Sequence, residues 1–379
     1  MKKTIILGAM LIAALGFSQT KDSVSNVQQV NGAQKILNNN LNKGVTIGGY
    51  GQVDYNQPEG DNGTLDVHRM VLLFGYKFND KVQFVTEIEM EHVKEIYVEQ
   101  AFLTYNLTDN VNLRGGLMLV PMGLINEYHE PTVFNGVERP NVDKYIVPTT
   151  WREIGFGVSG KLDDASLKYQ AYIFNGFKSD GLRGKDGLRK GRQKGAKSTV
   201  STPTLSAKID YYGIRGLRLG LSGYFGKTQA EDAIEDLDGA TVGVSMIGFD
   251  ARYNYKKFKA SGQFITTSIS DTQKYNTANS SNLGAALKGW YIEGAYNLLP
   301  VTHEKKLYAF TRYEDYDTHA KVAGALVRND AFHRTDITTG LSFHIAEGAV
   351  VKADYQFKKT AVSGSDTKGQ LNLGFGIWF

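Results

Sequence analysis

The chain has 379 residues, with 43 basic and 39 acidic side chains, 42 Gly, 43 aromatic residues (21 Tyr, 19 Phe, 3 Trp) and no Cys. The lack of Cys excludes a disulfide scaffold, thiolate zinc sites and Cys nucleophiles, and a net charge of +4 is too small for a dedicated nucleic-acid-binding protein. Gly disfavours helices whereas Tyr and Phe favour strands, so the composition predicts β structure with many tight bends.

The N-terminal residues predict export from the cytoplasm. Lys2 and Lys3 precede an apolar run at 4–15, and small residues follow at Gly16 and Ser18. This pattern is typical of a secretory signal peptide, here residues 1–18. The run is shorter than the roughly 20 residues that a spanning helix needs, although an N-terminal membrane anchor remains the alternative. Residues 19–43, rich in Asn, Gln and Ser, are expected to be a polar periplasmic segment that is mobile or forms a short helix.

From Gly44 to Phe379 apolar and polar residues alternate. In the last stretch Leu371, Leu373 and Phe375 share one face, while Gln370 and Asn372 share the other. A period of two places alternate side chains on opposite faces of a sheet. The predicted strands are 44–56, 65–78, 81–91, 95–107, 111–119, 153–162, 166–176, 203–212, 217–227, 241–255, 257–269, 286–298, 305–316, 335–346, 349–360 and 369–379.

The lengths of the links decide between architectures, because a soluble sandwich would alternate as well. Links after even-numbered strands are mostly tight turns, whereas those after odd-numbered strands are mostly long and polar. Short periplasmic turns and long extracellular loops are typical of outer-membrane barrels. The sequence therefore predicts an all-β, transmembrane, antiparallel up-and-down β-barrel of about 16 strands over residues 44–379. Such a barrel belongs in the outer membrane of a Gram-negative cell, among lipid and lipopolysaccharide.

The C-terminal residue is Phe379, with apolar residues at every second position before it. This end resembles the signal by which bacterial assembly machinery recognises outer-membrane barrels. The alternative is a strand that merely ends in Phe.

Several stretches resemble a known family, the phosphate-selective porins O and P in their Bacteroidetes branch. The stretches are residues 65–69, 84–92, 116–123, 126–131, 135–140 and 148–155. The resemblance implies a sixteen-stranded pore, commonly a homotrimer, whose third extracellular loop folds inward as a constriction.

The composition of the longest link, 120–152, independently predicts that this loop has a special role. It carries four of the seven Pro residues and mixes apolar residues with charges. Pro stiffens a loop, and long loops without secondary structure are usually functional. We expect this loop to pack inside the barrel as the constriction. A stiff external loop that braces a neighbouring subunit is the alternative.

Charges at the narrowest part of a pore set its selectivity. The candidate constriction residues come from inward positions of the wall and from the long loop: Arg69, Glu87, Glu89, Glu91, Arg114, Glu127, His129, Glu130, Arg139, Lys144 and Arg152. The planar fork of Arg suits oxyanions such as phosphate. The three Glu residues on the same wall oppose anions, so we expect a transverse field and weak ion preference.

A second charged feature is the run 178–197, with eight basic and two acidic residues. In an outer loop it would hold lipopolysaccharide phosphates or draw anions toward the mouth. A solvated, mobile loop is the equal alternative.

The predicted function is a passive porin for small hydrophilic solutes and ions, with anions such as phosphate among them. No enzyme, metal or cofactor is expected: the His residues are scattered, and Glu89, Glu91 and His92 do not share one face. The alternatives are a plugged barrel that serves a structural or secretion complex, and a saccharide channel. The saccharide channel has little support, because few aromatic residues point inward.

Overall fold

The computed structural model describes residues 30–38, 43–230 and 239–379, so the predicted signal peptide at 1–18 lies outside the described residues. The described chain forms sixteen strands. In chain order they are β1 (Gly44–Pro58), β2 (Thr64–Lys77), β3 (Val82–Glu91), β4 (Glu95–Thr108), β5 (Val111–Leu119), β6 (Arg152–Leu162), β7 (Leu167–Phe174), β8 (Thr204–Ile214), β9 (Leu217–Lys227), β10 (Gly243–Tyr255), β11 (Phe258–Ile269), β12 (Ala286–Asn297), β13 (Lys306–Lys321), β14 (His333–Ala346), β15 (Ala349–Thr360) and β16 (Lys368–Trp378).

These strands close into one barrel. Each strand pairs antiparallel with its neighbours in sequence, and β1 pairs with β16, for example Gly51 with Ile377. A closed ladder leaves no sheet edge and pairs the backbone groups of every strand. The predicted up-and-down barrel of sixteen strands is confirmed.

The two ends of the barrel differ in their connections. The short-turn end carries links such as 215–216 and 347–348, whereas the long-loop end carries 120–151 and 175–203. The faces differ as well. On β16, Leu371, Leu373 and Phe375 point outward and are exposed, while Asn372 points into the lumen and is 0% exposed. The outer face is therefore apolar and the inner face polar, as the alternation predicts.

A β-bulge interrupts the alternation beside β3. In the β3–β4 pair Glu87 opposes Gln100 while Ile88 opposes Val98, which leaves Glu99 as an extra residue. Glu99 and Gln100 are consecutive, yet both are buried on the lumen side. A bulge bends its strand and re-aims side chains. It thus supplies one more inward polar group than strict alternation allows.

The helices are short: α1 (Gly32–Leu37), α2 (Val142–Tyr145) and α3 (Thr272–Ala278), with 3-10 turns at Asp163–Ala165, Arg189–Gly191 and Asp330–Phe332. No helix among the described residues is long and apolar enough to cross a membrane. Of the predicted polar segment 19–43, the structure describes residues 30–38 and 43. Its helix α1 packs against β1, β2 and β3 inside the barrel rather than outside it.

Candidate functional site

The link between β5 and β6, residues 120–151, crosses the interior of the barrel, and we call it the cross-lumen loop. At the far wall Lys352 of β15 donates hydrogen bonds from Nζ to the carbonyls of Phe134 (2.7 Å) and Gly136 (2.8 Å). On another side the backbone N–H of Leu124 donates to Oε1 of Gln263 in β11 (2.8 Å). The loop therefore folds into the lumen, as predicted, and does not stand outside the barrel.

Apolar residues of this loop pack against other loops and the wall. Trp151 is fully buried, and its ring centroid lies 4.5 Å from that of Phe177 and 4.6 Å from that of Tyr224. Val142 and Ile146 of the α2 region are also fully buried. Burial of such side chains stabilises a loop by about 1.5–3 kcal/mol each. This packing explains the apolar content that a solvated loop would not need.

A buried charge network pins the loop to the wall. Oε2 of Glu99 lies 3.3 Å from the Tyr50 hydroxyl and 3.3 Å from Nε2 of His129. Its Oε1 lies 3.9 Å from Nη1 of Arg152, and Arg69 donates from Nη2 to the carbonyl of His129 (2.6 Å). Burial disfavours the charge on His129, but Glu99 outweighs it and raises the pKa of His129. His129 is thus held as an imidazolium beside a carboxylate.

The carboxylates predicted to face the pore lie behind this loop. Glu87 and Glu89 point inward but are only 2% and 1% exposed, and of the three only Glu91 is partly exposed. The structure therefore differs from the expected transverse field between Arg and Glu across the water, because the cross-lumen loop covers Glu87 and Glu89.

Glu87, Glu99 and His129 bring ligand atoms within 4.8 Å of one another, a spacing that would suit a metal ion. However, the guanidiniums of Arg69 and Arg152 stand in the same network. His129 lies 3.3 Å from Glu99, and Arg152 lies 3.9 Å from it, so cationic side chains already surround this carboxylate. We therefore interpret the cluster as an ion network rather than a metal site.

Cations collect at the long-loop end. Arg139 and Lys144 of the cross-lumen loop meet Arg189, Arg192 and Lys194 of the 175–203 loop, and we call these five residues the upper basic cluster. Burial, with Arg69 and Arg189 nearby, lowers the pKa of Arg139 to about 10. Burial and the neighbouring Arg189 hold the pKa of Arg192 well below its usual range. Glu138 near Lys144, and Glu91 near the cations of the 175–203 loop, offset part of this charge and leave the cluster net positive.

The basic run 178–197 is packed in part, while Arg183, Lys185, Lys190 and Lys197 are exposed. Leu182 and Leu188 are 1% exposed. Arg192 donates from Nη1 to the carbonyls of Pro148 (3.2 Å), Thr149 (3.0 Å) and Thr150 (3.1 Å). The run therefore caps the cross-lumen loop.

Below the loop, in the short-turn half of the lumen, lies a cavity of about 1160 Å³ that we call the lower vestibule. Ten basic and three acidic side chains line it, an excess of seven positive charges. The basic residues are Lys35, Arg114, Lys161, Lys168, Arg215, Arg218, Arg252, Lys256, Lys259 and Lys306. Arg114 is the predicted site residue that the structure places here.

Tyr128 of the cross-lumen loop forms part of the roof of this vestibule. Lys168 donates to its hydroxyl (3.2 Å), and the guanidiniums of Arg218 and Arg252 each lie 5.1 Å from its ring centroid. Burial raises the pKa of Tyr128, but Lys168 and Arg218 outweigh it and lower that pKa. Arg218 is paired with Asp210 (2.8 Å), whereas among the described residues neither Lys168 nor Arg252 has a carboxylate within salt-bridge distance. These two cations therefore retain their positive potential toward the vestibule.

The remaining predicted residues take structural roles. Glu127 accepts hydrogen bonds from Nε2 of Gln170 at 2.9 and 3.1 Å, and Glu130 accepts one from the backbone N–H of Gly32. Sequence reasoning missed Glu99, which the alternation of Ile96 and Val98 on the outer face could have revealed. It also missed the lower vestibule, because the cations come singly from many strands and form no cluster in the sequence.

One family model matches most of the chain. Residues 43–365 match the family described as phosphate-selective porin O and P. A protein of Aquifex aeolicus (strain VF5), described as uncharacterized, is 33% identical over 341 residues, which cover 83% of this chain and 76% of that protein.

Solved structures are similar in fold at low identity. The loop L8 deletion mutant of OmpT from Vibrio cholerae is 12% identical with a TM-score of 0.59, over 89% of this chain and 100% of that one. An anion-selective porin from Comamonas acidovorans is 12% identical with a TM-score of 0.57, over 89% and 100%. The outer-membrane channel DcaP of Acinetobacter baumannii is 12% identical with a TM-score of 0.57, over 90% of this chain and 99% of that one.

Proposed function

The chain belongs to the phosphate-selective porin O and P family and is a passive porin of the outer membrane, and from this premise we propose that its lumen prefers anions. Family and fold indicate a channel rather than an enzyme. With the barrel in an outer membrane, the long-loop end faces outside and the short-turn end faces the periplasm.

The observation that carries the proposal is the sign of the charge on both sides of the cross-lumen loop. The upper basic cluster lies on the outer side of the cross-lumen loop. The lower vestibule, on its periplasmic side, has an excess of seven positive charges. Positively lined, low-dielectric clefts concentrate anions and exclude cations. The solved porin from Comamonas acidovorans is described as anion-selective. Here the same preference follows from the charges of this chain.

We infer a general preference for anions rather than a dedicated phosphate site. Bidentate recognition of phosphate requires guanidinium forks with free N–H groups. Arg192 uses Nη1 on three backbone carbonyls, and Arg189 also donates to the carbonyl of Thr149. These groups supply positive potential while much of their hydrogen-bonding capacity is already used.

Reversal potentials in planar bilayers with a KCl gradient test the proposal. We expect the sign of the reversal potential to show that chloride permeates more readily than potassium. We also expect phosphate not to permeate much more readily than chloride. A cation-selective channel would overturn the proposed anion preference. Strong selection of phosphate over chloride would overturn the proposal that this preference is a general one without a dedicated phosphate site.

The close packing of the loops favours one competing function, a plugged barrel that serves as a structural or secretion partner. Trp151, Leu182 and Leu188 are almost completely buried at the long-loop half. Conductance separates the two: a folded, reconstituted protein that never shows open-channel current would favour the plugged barrel.

We also propose three associations for the barrel. The family implies a homotrimer, and one solved OmpT structure is described as a trimer; light scattering of the detergent-solubilised protein tests this. The basic run 178–197 suits lipopolysaccharide phosphates, which a native gel shift would detect. Phe379 would serve recognition by the assembly machinery, and it also exchanges backbone hydrogen bonds with Gly49 (2.9 and 3.1 Å). Phe379→Ala should therefore lower the yield of folded barrel in cells more than refolding in micelles.

A further inference from the structure

The helix α1 lies in a hollow of the inner wall made by two glycines. Ile36 of α1 points at Gly48 of β1 and Gly75 of β2 and is 8% exposed. A Cβ built on Gly75 would lie 2.0 Å from Cγ2 of Ile36, so no larger residue fits while the helix is docked. The hollow and the side chain that fills it are complementary.

The same helix also holds the cross-lumen loop. Asn31, which caps α1, donates from Nδ2 to the carbonyl of Glu127 (2.8 Å). The backbone N–H of Gly32 donates to Oε1 of Glu130 (2.5 Å). All four residues are buried. Buried hydrogen bonds contribute about 1 kcal/mol each, more when one partner is charged. The chain that precedes the first strand is thus joined to the loop that crosses the lumen.

The exposed side of α1 reduces the size of the lower vestibule. Gln34 and Lys35 line this cavity of about 1160 Å³, and Nζ of Lys35 lies 4.7 Å from the ring centroid of Trp378 at the short-turn end. A six-residue helix is about 9 Å long and about 10 Å wide, so it occupies about 700 Å³. Release of α1 would therefore widen the vestibule.

We propose that α1 is a positioning element of the channel, with Ile36 as its anchor: it braces the cross-lumen loop from the periplasmic side and sets the width of the lower vestibule. This inference rests on the porin function above. It assigns to residues 31–37 a task within the lumen, where the sequence alone suggests only a polar segment ahead of the barrel.

A disulfide tests the docking directly, because the chain has no Cys and two introduced thiols would be the only ones. The Cβ position on Gly75 lies 3.5 Å from Cβ of Ile36, within the range of about 3.5–4.5 Å found in disulfides. In the variant Ile36→Cys/Gly75→Cys, oxidised while folded and then unfolded in denaturant, we expect the disulfide to block labelling by a thiol-reactive polyethylene glycol. The control pair is Ile36→Cys/Gly294→Cys, because Gly294 on β12 has no atom within 4 Å of its Cβ position. The control pair should remain labelled. If the Ile36→Cys/Gly75→Cys pair also stays labelled after oxidation, the proposal is overturned.

Single-channel recording tests the consequence. Ile36→Glu and Gly75→Leu should each release α1 and raise the single-channel conductance above that of the parent protein, with more open-channel noise from the freed loop. Gly294→Leu is the matched control. The double-Cys variant, oxidised, should keep the conductance of the parent protein, and a value equal to that of Ile36→Glu would overturn the idea. Heat-modifiable gel mobility confirms that each variant is folded.

The two proposals fail separately. If the parent protein carries no current, the porin function fails, while the cross-link still reports whether α1 is docked. If the parent conducts and both release variants match it in conductance and noise, the positioning role fails and the porin function stands.

Discussion

Neutralising four lysines of the lower vestibule should reduce anion preference by a predictable amount. The variant replaces Lys161, Lys256, Lys259 and Lys306 with Gln, so the excess of seven positive charges in the cavity falls to three. None of these lysines belongs to an ion pair among the described residues. The cavity itself should therefore keep its shape.

The volume of the cavity gives the magnitude. One elementary charge in a cavity of about 1160 Å³ corresponds to a fixed charge of about 1.4 M. At about 1 M KCl, Donnan equilibrium then gives an anion-to-cation ratio of about 100 for seven charges and about 20 for three. We expect the variant to lose about fivefold in this ratio. The parent's preference should also weaken as salt rises, because screening shortens the reach of the fixed charges.

Reversal potentials in an asymmetric KCl gradient measure the effect. The matched control replaces four exposed lysines that do not line the cavity, Lys81, Lys94, Lys305 and Lys368, and so changes the net charge equally. Equal shifts in both variants would show that total charge, and not the vestibule, sets selectivity. No shift in either would refute the reasoning.

Three further outcomes follow from the buried contacts of the cross-lumen loop. Glu99→Gln leaves His129 without its carboxylate and should lower the free energy of unfolding by about 3 kcal/mol in urea titrations; Glu153→Gln, whose carboxylate accepts only from neutral donors, should cost less. The pKa of His129 is raised in the fold, so its pair with Glu99 contributes its full stability below the ordinary His pKa of about 6.5. This contribution is lost as the pH rises through the raised pKa of His129. The variant His129→Gln should therefore flatten that part of the pH–stability curve. Lys352→Met removes two hydrogen bonds to loop carbonyls and should cost about 2 kcal/mol while increasing open-channel noise, whereas unchanged noise would mean that this contact does not restrain the loop.

The fold could be read from the sequence because a lipid-facing barrel repeats one local rule along the chain. Alternation with period two and the contrast between short and long links are both local, and together they fix sixteen strands and their neighbours. Even the inward loop is signalled locally, by its Pro residues and its apolar content. The match between Leu371, Leu373 and Phe375 on the outer face and Asn372 on the inner face shows how far this rule reaches.

The site resisted prediction because its contacts join residues that are far apart in sequence. Alternation places Glu87 and Glu89 in the lumen, but it cannot say that a loop thirty or more residues later covers them. A bulge is also invisible to a period of two: Glu99 follows the alternation of Ile96 and Val98, whereas Gln100, the next residue, turns inward as well. The cations of the lower vestibule are separated by long intervals, and only closure of the barrel gathers them.

On the proposed function, the cross-lumen loop sets both the width of the channel and its ion preference. If the wall carboxylates Glu87, Glu89 and Glu99 faced water, they would offset the arginines and leave little ion preference. As the loop folds inward it buries all three, and His129 and Arg152 lie beside Glu99. Below the loop, the lower vestibule keeps ten basic against three acidic side chains. A change that lifts the loop from the wall should consequently widen the pore and weaken its anion preference at the same time, whereas neutralising vestibule lysines should change preference alone.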